Sequence, residues 1–89
     1  MLNPVFRNGF QRDVKIVKKR GLDTELLKEV LEEIINEKPL PPKRRNHKLT
    51  GNWTGRWECH IAPDWLLIYR YSGLDVIFER TGTHSDLFR

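Results

Sequence analysis

Two tight turns in the second half of the chain constrain its fold more than any other feature. Residues 57–61 alternate Trp57, Cys59 and Ile61 with Glu58 and His60, and the run ends at Ala62-Pro63-Asp64. WLLIYRY follows, then Ser72-Gly73, then LDVIFERTG. Alternation of period two marks half-buried strands, and Pro-Asp and Ser-Gly are turn formers, so the segment predicts a three-stranded antiparallel meander. With Ser72-Gly73 as the turn, Trp57 pairs with Tyr69 and Cys59 with Leu67, while Val76 and Phe78 pair with Tyr69 and Leu67 on the next strand. One face of this sheet is apolar and needs a cover.

The first half supplies that cover. After a short apolar start at residues 2–6, Asn8 followed by Gln11 has the form of a helix N-terminus, Phe10, Val14 and Val17 recur at helical spacing, and Gly21 is a natural stop. Arg12, Lys15, Lys18 and Lys19 make the opposite face basic. A second helix, capped by Asp23 or Thr24, sets Leu26, Leu27, Val30, Leu31, Ile34 and Ile35 against Glu25, Glu29, Glu32 and Glu33. Between helix and meander, KPLPPKRRNHKLTGN reads as an exposed loop of unusual length, a kind of segment that often carries function. The expected fold is α+β in the order β-α-α-β-β-β: two N-terminal helices on a small antiparallel sheet, with a short C-terminal turn or helix. A chain of 89 residues suits one domain over residues 1–89 and one small core, which leaves any active site as a shallow surface cleft.

Charge narrows the partners. Lys and Arg number 16 against 12 Asp and Glu, and the net +4 arises entirely in residues 38–89, where nine basic residues face five acidic ones. A basic second half suits an anionic partner. Cys59, the only cysteine, excludes an intrachain disulfide, and no run approaches the length of a membrane span. The start MLNPVFRNGFQRD has no signal-peptide core, so a cytoplasmic protein with no membrane partner is expected.

Successive strands of a meander run in opposite directions, so the end of the first, the start of the second and the end of the third share one edge. His60, Asp64, Trp65, Arg80 and His84 fall at that edge, and the loop with Lys43, Arg44, Arg45 and His47 is long enough to fold over it. Each has a plain structural reading: a solvent-exposed or carbonyl-bonded histidine, a turn-forming aspartate, a core-closing Trp65 or Phe88, a solvated KRR loop. Convergence sets them apart, because three imidazoles, a carboxylate and a guanidinium on one rim exceed what stability requires. Zinc or iron is the rival chemistry, but no HxH or HExxH pair is present and the nearby arginine repels a cation, so neither metal nor other cofactor is expected.

Metal-free cleavage of RNA suits histidines beside arginines and lysines. The 2′-hydroxyl attacks its own phosphate, a base takes its proton, an acid protonates the leaving oxygen, and cations stabilise the charge on phosphorus. Cys59 lies on the core face by alternation and reads as packing.

HKLTGNWTGRWECHIAPDWLLIY followed by FERTGTHSDLF resembles the YafQ-type branch of the RelE/ParE toxin superfamily. The resemblance runs over nearly the whole chain and implies a RelE-like fold. It also implies a ribosome-dependent mRNA endoribonuclease that is held inactive by a cognate antitoxin, with the ribosome and mRNA as further partners. By position it implies His47, His60, Asp64 and His84 as the active site, with His84 foremost in proton transfer, Arg80 on the phosphate, and Trp65 and Phe88 shaping the cleft or stacking on a base. Lys43, Arg44 and Arg45 stand as candidates for the RNA backbone. A non-enzymatic gyrase inhibitor of the ParE kind and a plain basic RNA-binding module are the alternatives; neither needs a proton donor.

Overall fold

The computed structural model describes residues 1–88. Its elements are β1 (Asn3–Phe6), α1 (Asn8–Lys19), α2 (Thr24–Ile35), β2 (His47–Lys48), β3 (Trp57–Ala62), β4 (Trp65–Ser72), β5 (Asp75–Gly82) and α3 (His84–Leu87). The sheet has five strands in the order β1-β5-β4-β3-β2; β1 lies parallel to β5 and every other neighbour is antiparallel. This is the expected α+β architecture, with one strand more than alternation predicts.

The extra strand comes from the long basic loop. It forms a short 3-10 turn at Pro42–Arg44, pairs His47 with Glu58 and Lys48 with Trp57, and makes a second 3-10 turn at Gly51–Trp53. Two residues of strand give no readable period, so this pairing is invisible to alternation. Tyr69, fully buried, donates its hydroxyl to Asn46 Oδ1 at 2.5 Å and ties the loop to the core.

The helix start departs from expectation as well. Arg7, not Asn8, is the N-cap and no side chain caps α1; Gln11 Nε2 instead donates to Phe6 O at 2.9 Å. Asp23 does cap α2, accepting from the Glu25 N–H at 3.0 Å. Phe10 and Val17 of α1 and Leu27, Val30 and Ile34 of α2 pack on Cys59, Leu67, Tyr69, Val76 and Phe78 of the sheet. Full burial of each such side chain contributes about 1.5–3 kcal/mol.

The first hairpin pairs Trp57 with Tyr69 and Cys59 with Leu67, as alternation predicts. In the second, Ser72 pairs with Asp75, so the turn is Gly73-Leu74 and Val76 meets Tyr71 rather than Tyr69. Gly73 at φ +59° takes the first central position, which a type II′ turn reserves for glycine. A bulge follows: Tyr69 pairs with Phe78 but Ile68 pairs with Arg80, so Glu79 is the inserted residue. Beyond it the faces exchange. Thr81 joins the buried side opposite Leu67, and Arg80 leaves the line of Val76 and Phe78.

The sheet face turned away from α1 and α2 has its own small cluster, Leu66, Ile68 and Leu87 with Leu49 and Trp53 packed against it. Here α3 and the Gly51–Trp53 turn take the place of the helices. The polar residues of interest surround this second cluster.

Candidate functional site

His84 is the first residue of α3, and the helix is built to hold it. Thr83 accepts from the Asp86 N–H at 3.1 Å and Asp86 accepts from the Thr83 N–H at 2.9 Å, a capping box. Arg20, at the C-terminal end of α1, donates to both oxygens of Asp86 at 2.7 and 3.2 Å. Asp64, in the β3–β4 turn, accepts from the His84 N–H at 3.1 Å and lies 2.6 Å from His84 Nδ1. The carboxylate therefore fixes the Nδ1–H tautomer and leaves Nε2 as the free proton-transfer atom. The His84 hydrogen bonds hold the Asp64 carboxyl below its ordinary value, keeping it ionised and acceptor-only at neutral pH.

The His60 ring lies 6.0 Å from that of His84, centroid to centroid, at 61°. Its Nδ1 is 3.3 Å from Pro63 O, to which it donates. His47 donates Nδ1–H to Arg45 O at 2.7 Å. Both remaining ring nitrogens face one carboxylate: Glu58 Oε1 is 3.5 Å from His47 Nε2 and 3.8 Å from His60 Nε2. Glu58 is only 6% exposed, so an imidazole protonated here meets a poorly solvated negative charge. The four expected residues thus form two linked pairs, with Glu58 joining His47 to His60.

Glu58 sits two residues before His60 and so shares its face, yet nothing in the sequence singles it out as part of the site. The missing information is β2, which delivers His47 to the same carboxylate. Trp53 is not singled out either. The Trp53 ring meets Phe88 edge-on at 5.5 Å, and Phe88, 37% exposed, lies 6.4 Å from the His84 ring.

Three other expectations change. Trp65 is 3% exposed, belongs to the main core and donates its indole N–H to Thr81 Oγ1 at 2.9 Å, so it has no face to offer a base. Arg44 is 7% exposed and donates to Ile61 O at 2.8 Å, with Glu29 at 3.8 Å. It anchors the loop, and what little of it is exposed lines the same hollow as its neighbours. Its neighbours Lys43 and Arg45 are exposed and line a hollow of about 600 Å³ with His60, Ile61, Ala62 and Pro63. Arg80 donates Nε and a terminal nitrogen to Asp13 at 2.6 and 3.1 Å, so its contacts run to α1 rather than to the imidazoles.

Cys59 is fully buried, and burial pushes its thiol up to about 12, which removes it as a nucleophile at neutral pH. Among the described residues no group of three or more His, Cys, Asp or Glu is arranged to hold a metal ion, and no helix is long and apolar enough to cross a membrane.

The hold on α3 has a pH signature. Arg20, through its hydrogen bonds, and the Thr83 N–H draw the Asp86 carboxyl well below its ordinary 3.8. A lowered folded-state value means that the stabilisation is full above the unfolded value and fades as pH falls through the folded one. Asp86→Asn should therefore lower stability at pH 7 and flatten its decline below about pH 4, as followed by urea unfolding across pH. Parallel pH curves for the two proteins would refute the assignment.

Known proteins resemble this chain over nearly its whole length. The family model described as the bacterial toxin of type II toxin–antitoxin systems, YafQ, matches residues 2–89. The mRNA interferase toxin YafQ of Escherichia coli is 42% identical over 84 residues, covering 93% of this chain and 91% of the relative. In the crystal structure of the E. coli DinJ-YafQ complex, a chain 38% identical superposes with a TM-score of 0.92 over 100% of both chains. A metal-bound toxin from Helicobacter pylori, also 38% identical, gives 0.92 over 99% of this chain and 100% of its own.

Proposed function

Because the chain belongs to the YafQ family of toxins from type II toxin–antitoxin systems, we propose that it is a ribosome-dependent endoribonuclease of the RelE/ParE superfamily. It acts in the cytoplasm as a single domain over residues 1–89, and cleaves translated mRNA to halt translation. The observation that carries this reading is the His84 imidazole, oriented by Asp64 at 2.6 Å and set 6.0 Å from His60. Two imidazoles that close can contact one phosphodiester.

In this reaction the substrate's own 2′-hydroxyl is the nucleophile. One imidazole takes its proton as it attacks phosphorus, and another gives a proton to the departing 5′-oxygen. His84 Nε2 is the foremost transfer atom, since Asp64 stabilises the imidazolium through Nδ1–H in the manner of an orienting carboxylate. His60, with Glu58 and His47 behind it, is the second transfer group. Lys43 and Arg45 line the hollow beside His60 and place positive charge next to the phosphate. Arg80 acts from the opposite flank, and Phe88 offers a ring beside His84 for a base.

The H. pylori relative is described as metal-bound; among the described residues here no group of three or more His, Cys, Asp or Glu is arranged as metal ligands, and the proposed chemistry moves its protons through the imidazoles. A cognate antitoxin, as DinJ is for the E. coli protein, blocks the cleft by setting acidic residues against the basic face.

Primer extension on one message in two forms, with and without its initiation codon, tests the reading. Induced toxin should produce cuts inside the coding region of the translated form and none in the untranslated form. Equal cutting of both would remove the ribosome from the mechanism, and growth arrest without any cuts would favour a non-enzymatic inhibitor.

A further inference from the structure

A second hollow, of about 470 Å³, lies beside Trp53 and shares only Arg80 with the chemistry above. Arg7, Asn52, Trp53, Arg56, Glu79 and Arg80 line it. We propose that it is a subsite for the nucleotide flanking the scissile phosphate, with the base on Trp53 and the phosphate on Arg7 and Arg56. The proposal rests on the endoribonuclease reading and adds to it where the message lies beyond the cut.

Continuity with the imidazoles is the first argument. From His84 the surface steps to Phe88 at 6.4 Å, to Trp53 at 5.5 Å, and to the Arg56 guanidinium, 5.6 Å from the Trp53 ring centre. A strand held at His84 by its phosphate can lay its next base along this aromatic row. Stacking on Trp is the sequence-tolerant way to hold an unpaired base.

Charge is the second. Glu79 accepts from Arg70 at 2.7 Å, and Asp13 is taken up by Arg80, so the nearby carboxylates are already matched. Arg7 is exposed, with no hydrogen bond or ion pair to its side chain among the described residues. Arg56 is ion-paired to Glu79, Nε to Oε1 at 3.0 Å, and that Nε is buried, so it is the terminal nitrogens of the partly exposed guanidinium that can face a ligand. Arg7 thus keeps its donors uncommitted in the hollow, and Arg56 lies over the indole with its terminal nitrogens available, which suits a phosphate and its base. Asn52, exposed at the lip, can both donate to and accept from a base edge. An acidic peptide would use the arginines but has no need of the indole.

Single-turnover cleavage on ribosomes programmed with a defined message tests this. Wild type is compared with Trp53→Leu and with the double variant Arg7→Gln/Arg56→Gln, at several salt concentrations. Each variant should need about tenfold or more toxin for half-saturation, with the rate at saturation reduced only a few-fold. The arginine pair should also reduce the salt slope by about 0.7 log units for each phosphate that the variant no longer neutralises. Trp53 packs against the Leu66–Ile68 cluster, so the double variant carries the test even where Trp53→Leu perturbs the fold. Unchanged half-saturation and slope, or a fall in rate at saturation alone, would overturn the subsite. Weakened antitoxin binding with cleavage unaffected would give the hollow to the antitoxin instead and overturn it equally. Absence of cleavage by wild type sinks the endoribonuclease reading itself, whereas wild-type cleavage with indifferent variants sinks only the subsite.

Discussion

His84→Ala should fold like the wild type and lose mRNA cleavage by about 10²- to 10⁴-fold, the range in which positioned proton transfer contributes to rate. The side chain is exposed and takes no part in either hydrophobic cluster, so its removal costs little packing. The capping box and the Arg20–Asp86 pair keep α3 in place without it. What disappears is, among the described residues, the one imidazole whose Nδ1 is held by a carboxylate at 2.6 Å. Quantified primer extension gives the rate, circular dichroism gives the fold, and growth arrest gives the consequence in cells. A folded variant that still arrests growth would move the protein to the non-enzymatic reading.

Asp13→Ala should cost about 2–4 kcal/mol of stability, a large share of the roughly 5–15 kcal/mol available to a domain of this kind. Asp13 is 7% exposed and accepts three hydrogen bonds, two from Arg80 and one from the Thr81 N–H at 3.0 Å. Loss of the carboxylate orphans a buried backbone donor, for about 1–3 kcal/mol. Arg80 adds less than a fully buried partner would, because its side chain is 36% exposed and water reaches it. Urea unfolding measures the change, and a loss below about 0.5 kcal/mol would show that β5 does not depend on this helix contact. Asp13→Asn keeps an acceptor in place and should fall between the two.

These two residues also mark how much of the molecule is legible in its sequence. His84 is legible because hairpins obey simple geometry: two turns bring strand ends back to one edge, whatever their separation along the chain. The ring distance of 6.0 Å between His60 and His84 is that geometry in measured form. Asp13 is not legible as a partner of Arg80, yet its position carries a signal. It lies between Phe10 and Val17 on the buried side of α1, where a charge needs a counter-charge.

What stays hidden has physical causes. β2 is two residues long and leaves no periodicity. The bulge at Glu79 and the one-residue displacement of the second turn depend on local backbone conformation, which alternation does not encode. They change which residues face the core: the bulge takes Arg80 off the line of Val76 and Phe78 and sets it opposite Ile68, in the same cross-strand row as Glu58 and His47, while its guanidinium turns to Asp13. Arg44 and Trp65 look like ligand-binding types and also carry structural contacts that the sequence does not announce, because a guanidinium can bond a carbonyl and an indole can fill a core as readily as either can meet RNA.

The central claim is that the message supplies its own nucleophile while histidines move the protons. The chemistry of the cut ends tests it most directly. Cleavage by this route leaves a 2′,3′-cyclic phosphate or its 3′-phosphate product upstream and a 5′-hydroxyl downstream, and a single 2′-deoxy substitution at the cut site should abolish cleavage there. A downstream 5′-phosphate, or undiminished cutting at the deoxy position, would show that water rather than the ribose hydroxyl attacks, and would contradict the account.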